Sequence, residues 1–194
     1  GDGERRNAEK FIEDVFHESY GAEIKCHYPI IMSVHDENNK ILGALGIRFA
    51  EKNNLFLEQY LNTKVENIAS DAAGRFIDRN SIVEIGNLAS AGNGASIFLF
   101  VALTAYLTKL GYSHCVFTGT KLLHNYFRKL YLEPVLLGHA DPALLPDKGV
   151  SWGTYYNTSP RILMGDMKAS FQRLNEVLLV NYLHEANNYT AKLH

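Results

Sequence analysis

The residues between Ser81 and Gly111 carry the densest chemical signal in the chain. They read as an apolar strand, Ser81–Leu88, then a glycine loop, then an apolar helix of about 15 residues that stops at Gly111. A glycine loop that opens a helix presents unsatisfied backbone N–H groups, which hold a phosphate or pyrophosphate without a metal. Gly92, Asn93, Gly94, Ala95 and Ser96 are the candidate anion ligands. Asn93 either bonds the phosphate or occupies a left-handed turn position. Glu84 interrupts the strand that feeds the loop. A carboxylate buried there is costly unless paired or protonated, so its pKa rises toward the range of a general base. The equal alternative is a structural ion pair with Arg48 or Arg75.

Arg48 ends another apolar strand expected to border the same cleft. Its forked guanidinium suits the carboxylate of an amino-acid substrate, or a plain salt bridge. Trp152, Tyr155 and Tyr156 either line a tunnel for an apolar substrate or fill the core. Other chemistries lack their residues. The eight histidines hold no pair at metal-ligand spacing, and no Gly-x-Ser-x-Gly elbow is present. Cys26 and Cys115 have neither metal nor redox spacing, so both read as buried free thiols of a reducing compartment.

The elements that must position these residues follow from periodicity and punctuation. Phe11, Ile12, Val15 and Phe16 give a helix over 4–20 closed by Gly21, and 28–35 with 40–49 give a hairpin across Asp36-Glu37-Asn38-Asn39. Residues 55–61 fit a strand or a helix start. A helix over 65–73 closes at Gly74. After the strand, loop and helix at the centre come strand 114–118, helix 121–130, strand 134–138, a proline-containing loop, strands 152–156 and 161–165, and a closing helix from Asp166 to about Leu193. This order predicts one domain over 1–194, an α/β mixed sheet with a parallel pair at its centre.

With 46% hydrophobic residues, 21% charged residues and a net charge of -2, the chain has an ordinary globular composition. It carries no basic stripe for nucleic acid. Neither a secretory signal nor an apolar run long enough to span a bilayer is visible, so a cytoplasmic location is expected.

The blocks LGALGIR (42–48), LFLEQYL (55–61), IVEIGNLA (82–89), VFTGT (116–120) and WGTYY (152–156) together resemble the thermostable haemolysin family. The element order also resembles GNAT acyltransferases and autoinducer synthases, whose pyrophosphate loop coincides with the glycine loop here. The resemblance implies a GNAT-like sheet whose central parallel strands splay apart, flanked by helices; the long C-terminal helix lies outside the matching blocks. It implies a thioester donor whose arm enters at Gly86-Asn87-Leu88, with the Leu88 N–H facing the carbonyl and Asn87 beside the substrate. It raises Glu58 as a base or substrate contact beside Glu84. Ala91, Gly94 and Ser96 stand where such loops usually carry a cation and further glycines, which admits an acyl-carrier-protein donor as well as acyl-CoA. Phe127 stands where the superfamily places an acid tyrosine.

The expected function is therefore transfer of an acyl group, long-chain rather than acetyl, from a thioester to a small amine such as an amino acid. The alternative takes the family name at its word: a membrane-active protein using the apolar stripe Met167, Phe171, Leu174, Leu178 and Tyr182. Few basic residues accompany that stripe, so a lid on the sheet or a homodimer contact explains it more simply.

Overall fold

The computed structural model describes residues 1–92, 94–182 and 184–194. Helix α1 (Asp2–Tyr20) places Ala8, Ile12 and Phe16 on one buried face and stops where Gly21 adopts φ 64°. The hairpin follows as β1 (Ile30–His35) and β2 (Ile41–Phe49). The Asp36 carboxylate closes its turn by accepting N–H bonds from Asn38 and Lys40, both at 2.9 Å. A 3-10 turn (Phe56–Tyr60) occupies the ambiguous segment, and α2 (Val65–Ala73) ends at Gly74.

Then come β3 (Ile82–Ser90), α3 (Ala95–Lys109), β4 (His114–Gly119), α4 (Lys121–Lys129) and β5 (Val135–His139). Strand β6 (Arg161–Asp166), helix α5 (Met167–Asn181) and strand β7 (Thr190–Leu193) complete the chain. The seven strands form one sheet in the order β5-β6-β4-β3-β2-β1-β7. Only β3 and β4 run parallel among the described pairs, and they lie at the centre as expected.

Alternate strand residues feed two cores, as the two-residue period of a strand requires. On one face Ile31, Ala44 and Ala89 pack beneath α1, while Ile82, Val116 and Ile162 pack beneath α2. On the other face Leu45, Ile47, Val83 and Ile85 meet Leu99 and Leu103 of α3 and Met167 of α5. Both faces are covered, so the central strands are apolar almost throughout. That makes Glu84, 1% exposed, conspicuous.

Two expected elements differ. Residues 152–156 form no strand; they belong to 3-10 turns at Val150–Trp152 and Tyr155–Thr158. Gly149 and Gly153 hold positive φ around the first turn, and the Asp147 carboxylate accepts N–H bonds from Gly149 and Ser151 at 2.9 and 3.0 Å. The aromatic spacing there serves a cluster, not a sheet. The closing helix also ends early, at Asn181, and the last residues pair antiparallel with β1. The polar stretch 184–188 offers a helix no apolar face, whereas β1 offers an edge that needs hydrogen bonds. Ser33 of β1 ties that edge down, its Oγ 2.8 Å from His35 Nε2 and 2.9 Å from His194 Nε2.

Candidate functional site

The site begins where the central strands part. Strands β3 and β4 are in register from Ile82–His114 to Ile85–Phe117, yet β3 continues to Ser90 and β4 to Gly119. On its other side β3 bulges, because Gly46 faces Gly86 and Ala44 faces Ala89. Asn87 and Leu88 thus stand opposite a single residue of β2, and Asn87 takes φ 51°, a left-handed value that asparagine tolerates. A bulge bends and twists its strand, which turns the end of β3 away from β4. The opening foreseen at Gly86-Asn87-Leu88 is there.

A cavity of about 810 Å³ runs through this opening. Gly92, Gly94 and Ser96 of the glycine loop, Gly86, Asn87 and Leu88 of β3, and Trp152 and Tyr155 of the aromatic cluster line it. A second, mainly apolar cavity of about 230 Å³ lies on the far face of the sheet. Its wall includes Phe100, Leu103, Thr104, Cys115 and Phe127. Both cavities are bounded by Ile85, Gly86, Leu88, Thr118 and Leu123, so they share a wall at the parting of the strands.

At the loop, Gly92 and Gly94 have φ 83° and 78°, and Gly94 caps α3 without a side-chain bond. Ser90 Oγ accepts the Gly92 N–H at 3.2 Å and the Ser96 hydroxyl at 2.9 Å, which holds the turn closed. Ala95, 1% exposed, is not part of the cavity wall. Asn93 lies outside the described residues.

Glu84 sits behind the cavity wall. Its Oε1 accepts the Phe56 N–H at 2.9 Å and its Oε2 the Leu57 N–H at 2.8 Å. Arg48 Nη1 stands 3.5 Å from Oε1. Burial raises the Glu84 pKa to about 7, against the pull of both N–H bonds and of Arg48. The base-like pKa and the ion pair, weighed as alternatives from sequence, occur together. Arg48 lines the cavity and stacks 4.6 Å above the ring of Tyr28.

Glu58 lies elsewhere. Arg79 grips it with a two-pronged fork, Nη1 to Oε2 and Nη2 to Oε1, both at 2.9 Å. Leu55 and Val65 donate N–H bonds to the same carboxylate, each at 2.9 Å. Burial opposes its ionisation, but the fork and the two N–H bonds outweigh it and hold the pKa at about 2. A carboxylate that acidic takes up almost no proton at neutral pH, and Glu58 is no part of the cavity wall. Its position fastens the 3-10 turn whose N–H groups hold Glu84.

Trp152 and Tyr155 close the aromatic end. Trp152 meets Phe16 and Phe56 edge-on at 6.0 and 5.9 Å, and Tyr155 meets Tyr20 at 5.2 Å. Tyr60 and Tyr156 share a short hydroxyl contact in the same wall. Phe127, where an acid tyrosine was sought, is packed against Phe100 and Phe117. The thiols divide: Cys115 is buried, and burial pushes its pKa up to about 12, whereas Cys26 is exposed at the cavity rim, contrary to expectation.

Sequence reasoning missed Tyr28 and Arg79. Tyr28 was legible only through its two hosts, since a glycine inside a strand often marks a close approach by another group. Gly46 and Gly86 are such glycines, and a Cβ on either would overlap the Tyr28 ring.

The family described as thermostable hemolysin matches residues 1–171. No curated protein matches the sequence. Among solved structures, the CoA-dependent acyl-homoserine lactone synthase MesI superposes with a TM-score of 0.57 at 15% identity, covering 91% of this chain and 90% of its own. FeeM, an N-acyl amino acid synthase from uncultured soil microbes, gives 0.59 at 15% identity over 88% of this chain and 95% of its own. BjaI, a CoA-dependent acyl-homoserine lactone synthase solved with SAM and isopentyl-CoA, gives 0.57 at 13% identity over 91% and 80%. The fold is the GNAT-like acyltransferase fold.

Proposed function

The chain belongs to the thermostable hemolysin family, and on that premise we propose that it is an acyltransferase moving an acyl group from a thioester to a small amine. The observation that carries this reading is the parting of β3 and β4 beyond Ile85 and Phe117 into a cavity that reaches the glycine loop. A thioester donor such as acyl-CoA would lay its anionic end at the start of α3, on the amides of Gly94 and Ser96, and its pantetheine amides along the unpaired strand edges. An acyl-carrier-protein donor presents the same arm.

The Leu88 amide, within the bulge, is the proposed donor to the thioester carbonyl, where it would stabilise the oxyanion of the tetrahedral intermediate. The acyl chain enters the 230 Å³ apolar cavity, whose wall includes Gly86 and Leu88. The acceptor amine occupies the aromatic end, within reach of Arg48, whose guanidinium suits a substrate carboxylate. Likeness of fold to FeeM, described as an N-acyl amino acid synthase, supports this choice of acceptor.

The test is incubation of the protein with acyl-CoAs from butanoyl to palmitoyl and a panel of amino acids and S-adenosylmethionine. Amine-dependent release of free thiol, with the N-acyl product found by mass spectrometry, is expected. Folded protein that releases no thiol with any pair would overturn the reading.

A lytic phenotype is compatible with such an enzyme, because a long-chain N-acyl amino acid is a surfactant. Direct membrane attack by the α5 stripe finds less support: Met167 and Leu174 are 1% and 2% exposed, and no described helix is long and apolar enough to cross a membrane. Detergent-free protein is expected to leave liposomes intact while extracts of cells making it lyse erythrocytes.

A further inference from the structure

We infer that Tyr28 is the acid–base group that meets the acceptor amine and passes its proton to Glu84, a role that rests on the acyltransferase reading above. Glu84 cannot do this unaided. It is 1% exposed and contributes nothing to the cavity wall, held at depth by the N–H groups of Phe56 and Leu57, while each carboxylate oxygen keeps a lone pair to take a proton. A base that cannot touch its substrate needs an intermediary.

Tyr28 has the required position. It lines the cavity, although only 7% exposed. Its ring lies flat across β2 and β3, over two glycines that face each other in register, Gly46 and Gly86. Gly46 sits under the Cγ end and Gly86 under the hydroxyl end. The Arg48 guanidinium covers the ring at 4.6 Å from its centroid. The ring is therefore sandwiched between a bare strip of backbone and a cation, with its hydroxyl at the residue where β3 leaves β4. No side chain at 46 or 86 but hydrogen allows this pose.

The electrostatics agree with a relay. Burial, and then the Glu84 carboxylate, push the Tyr28 pKa well above that of a free phenol, so the hydroxyl keeps its proton at rest. The groups facing it are Glu84 on β3, Arg48 on β2, and Tyr155 and Tyr60 in the aromatic wall. Of these, Glu84 stands two residues before Gly86 on the same face of β3, and Arg48, its cross-strand partner at 3.5 Å, is the cation that covers the Tyr28 ring.

The amine lone pair attacks the thioester carbonyl carbon, forming the C–N bond. The nitrogen passes a proton to Tyr28 Oη while the phenol proton moves to Glu84. The tetrahedral intermediate collapses, the C–S bond breaks, and the thiolate leaves to take a proton from solvent. Glu84 returns its proton to solvent through the same phenol.

The experiment compares wild type, Tyr28→Phe and Tyr28→Leu on the best acyl-CoA and amine pair found for the wild type. Phenylalanine keeps the ring over the glycines and removes only the hydroxyl. Tyr28→Phe is expected to keep the wild-type melting temperature and the KM for acyl-CoA within about twofold. Its kcat should fall about 100-fold, the usual scale for loss of acid–base catalysis. At saturating amine, the wild-type kcat should fall below pH ~7, and this limb should flatten in Tyr28→Phe. A purely structural tyrosine predicts otherwise: Tyr28→Phe matching wild type in kcat and pH profile, with only Tyr28→Leu impaired. That result overturns the inference while leaving the acyltransferase reading intact. A wild type that releases no thiol refutes the reading first.

Discussion

Two carboxylates show how the same side chain is given opposite characters by its neighbours. Glu58 receives a guanidinium fork and two backbone N–H bonds, and stays ionised down to pH about 2. Glu84 receives two N–H bonds but a more distant guanidinium at greater depth, and keeps its proton up to about 7. Their effects on stability have opposite signs. The Glu58 carboxylate stabilises the fold above its ordinary 4.5, and that contribution is lost as pH falls toward 2. The Glu84 carboxyl is protonated in the fold and ionised in the unfolded chain between 4.5 and about 7. Its contribution is full below 4.5 and is lost as pH rises through 7. Glu84→Gln should therefore flatten the decline in melting temperature between pH 5 and 8, while lowering kcat about 100-fold if Glu84 is the base. Arg79→Met removes the fork and leaves Glu58 unpaired at 9% exposure. A loss of about 3–5 kcal/mol in urea unfolding is expected.

At the scale of elements, the site is produced by two departures from regular sheet. One is the bulge at Asn87 and Leu88; the other is the glycine pair at 46 and 86. The glycines give up side-chain packing in the middle of a sheet, a loss offset here by the Tyr28 ring that takes the vacated space. The coupling is measurable. Gly46→Ala drives a methyl group into Tyr28 and should cost about 1–3 kcal/mol, the range for an overpacked core. Combined with Tyr28→Ala, the same change should cost far less than the sum of the single losses, because the obstructing ring is gone. Additive losses would mean that the ring and glycine do not touch. The glycine loop works with the bulge, since β3 delivers the chain from the bulged strand directly into the N-terminus of α3.

At the scale of the molecule, two cavities on opposite faces of one sheet share a wall where β3 and β4 part. The proposed acyl chain and acceptor thereby approach the same carbonyl from different sides. Thr104, 3% exposed, lines the far cavity. Thr104→Phe should fill it and lower kcat/KM for long acyl-CoAs by at least about tenfold relative to short ones, given the scale of methylene discrimination. Equal losses at every chain length would place the acyl group elsewhere.

The chain's own residues determined more of this than is usual for a single sequence. Periodicity and glycine caps marked the helices, the hairpin and the central strand–loop–helix; Glu84 stood out as a charge in an apolar strand. These signals are local, and local rules read them. The early end of α5 and the turns at Trp152 were misread because β7 needs a partner edge and the aromatics need one another. Glu58 and Arg79 are separated by 21 positions, and Tyr28 reaches Gly86 across an intervening strand. What tertiary structure alone decided was therefore which charges pair and which ring covers which glycine. Those contacts form between segments distant in sequence, and no spacing along the chain encodes them.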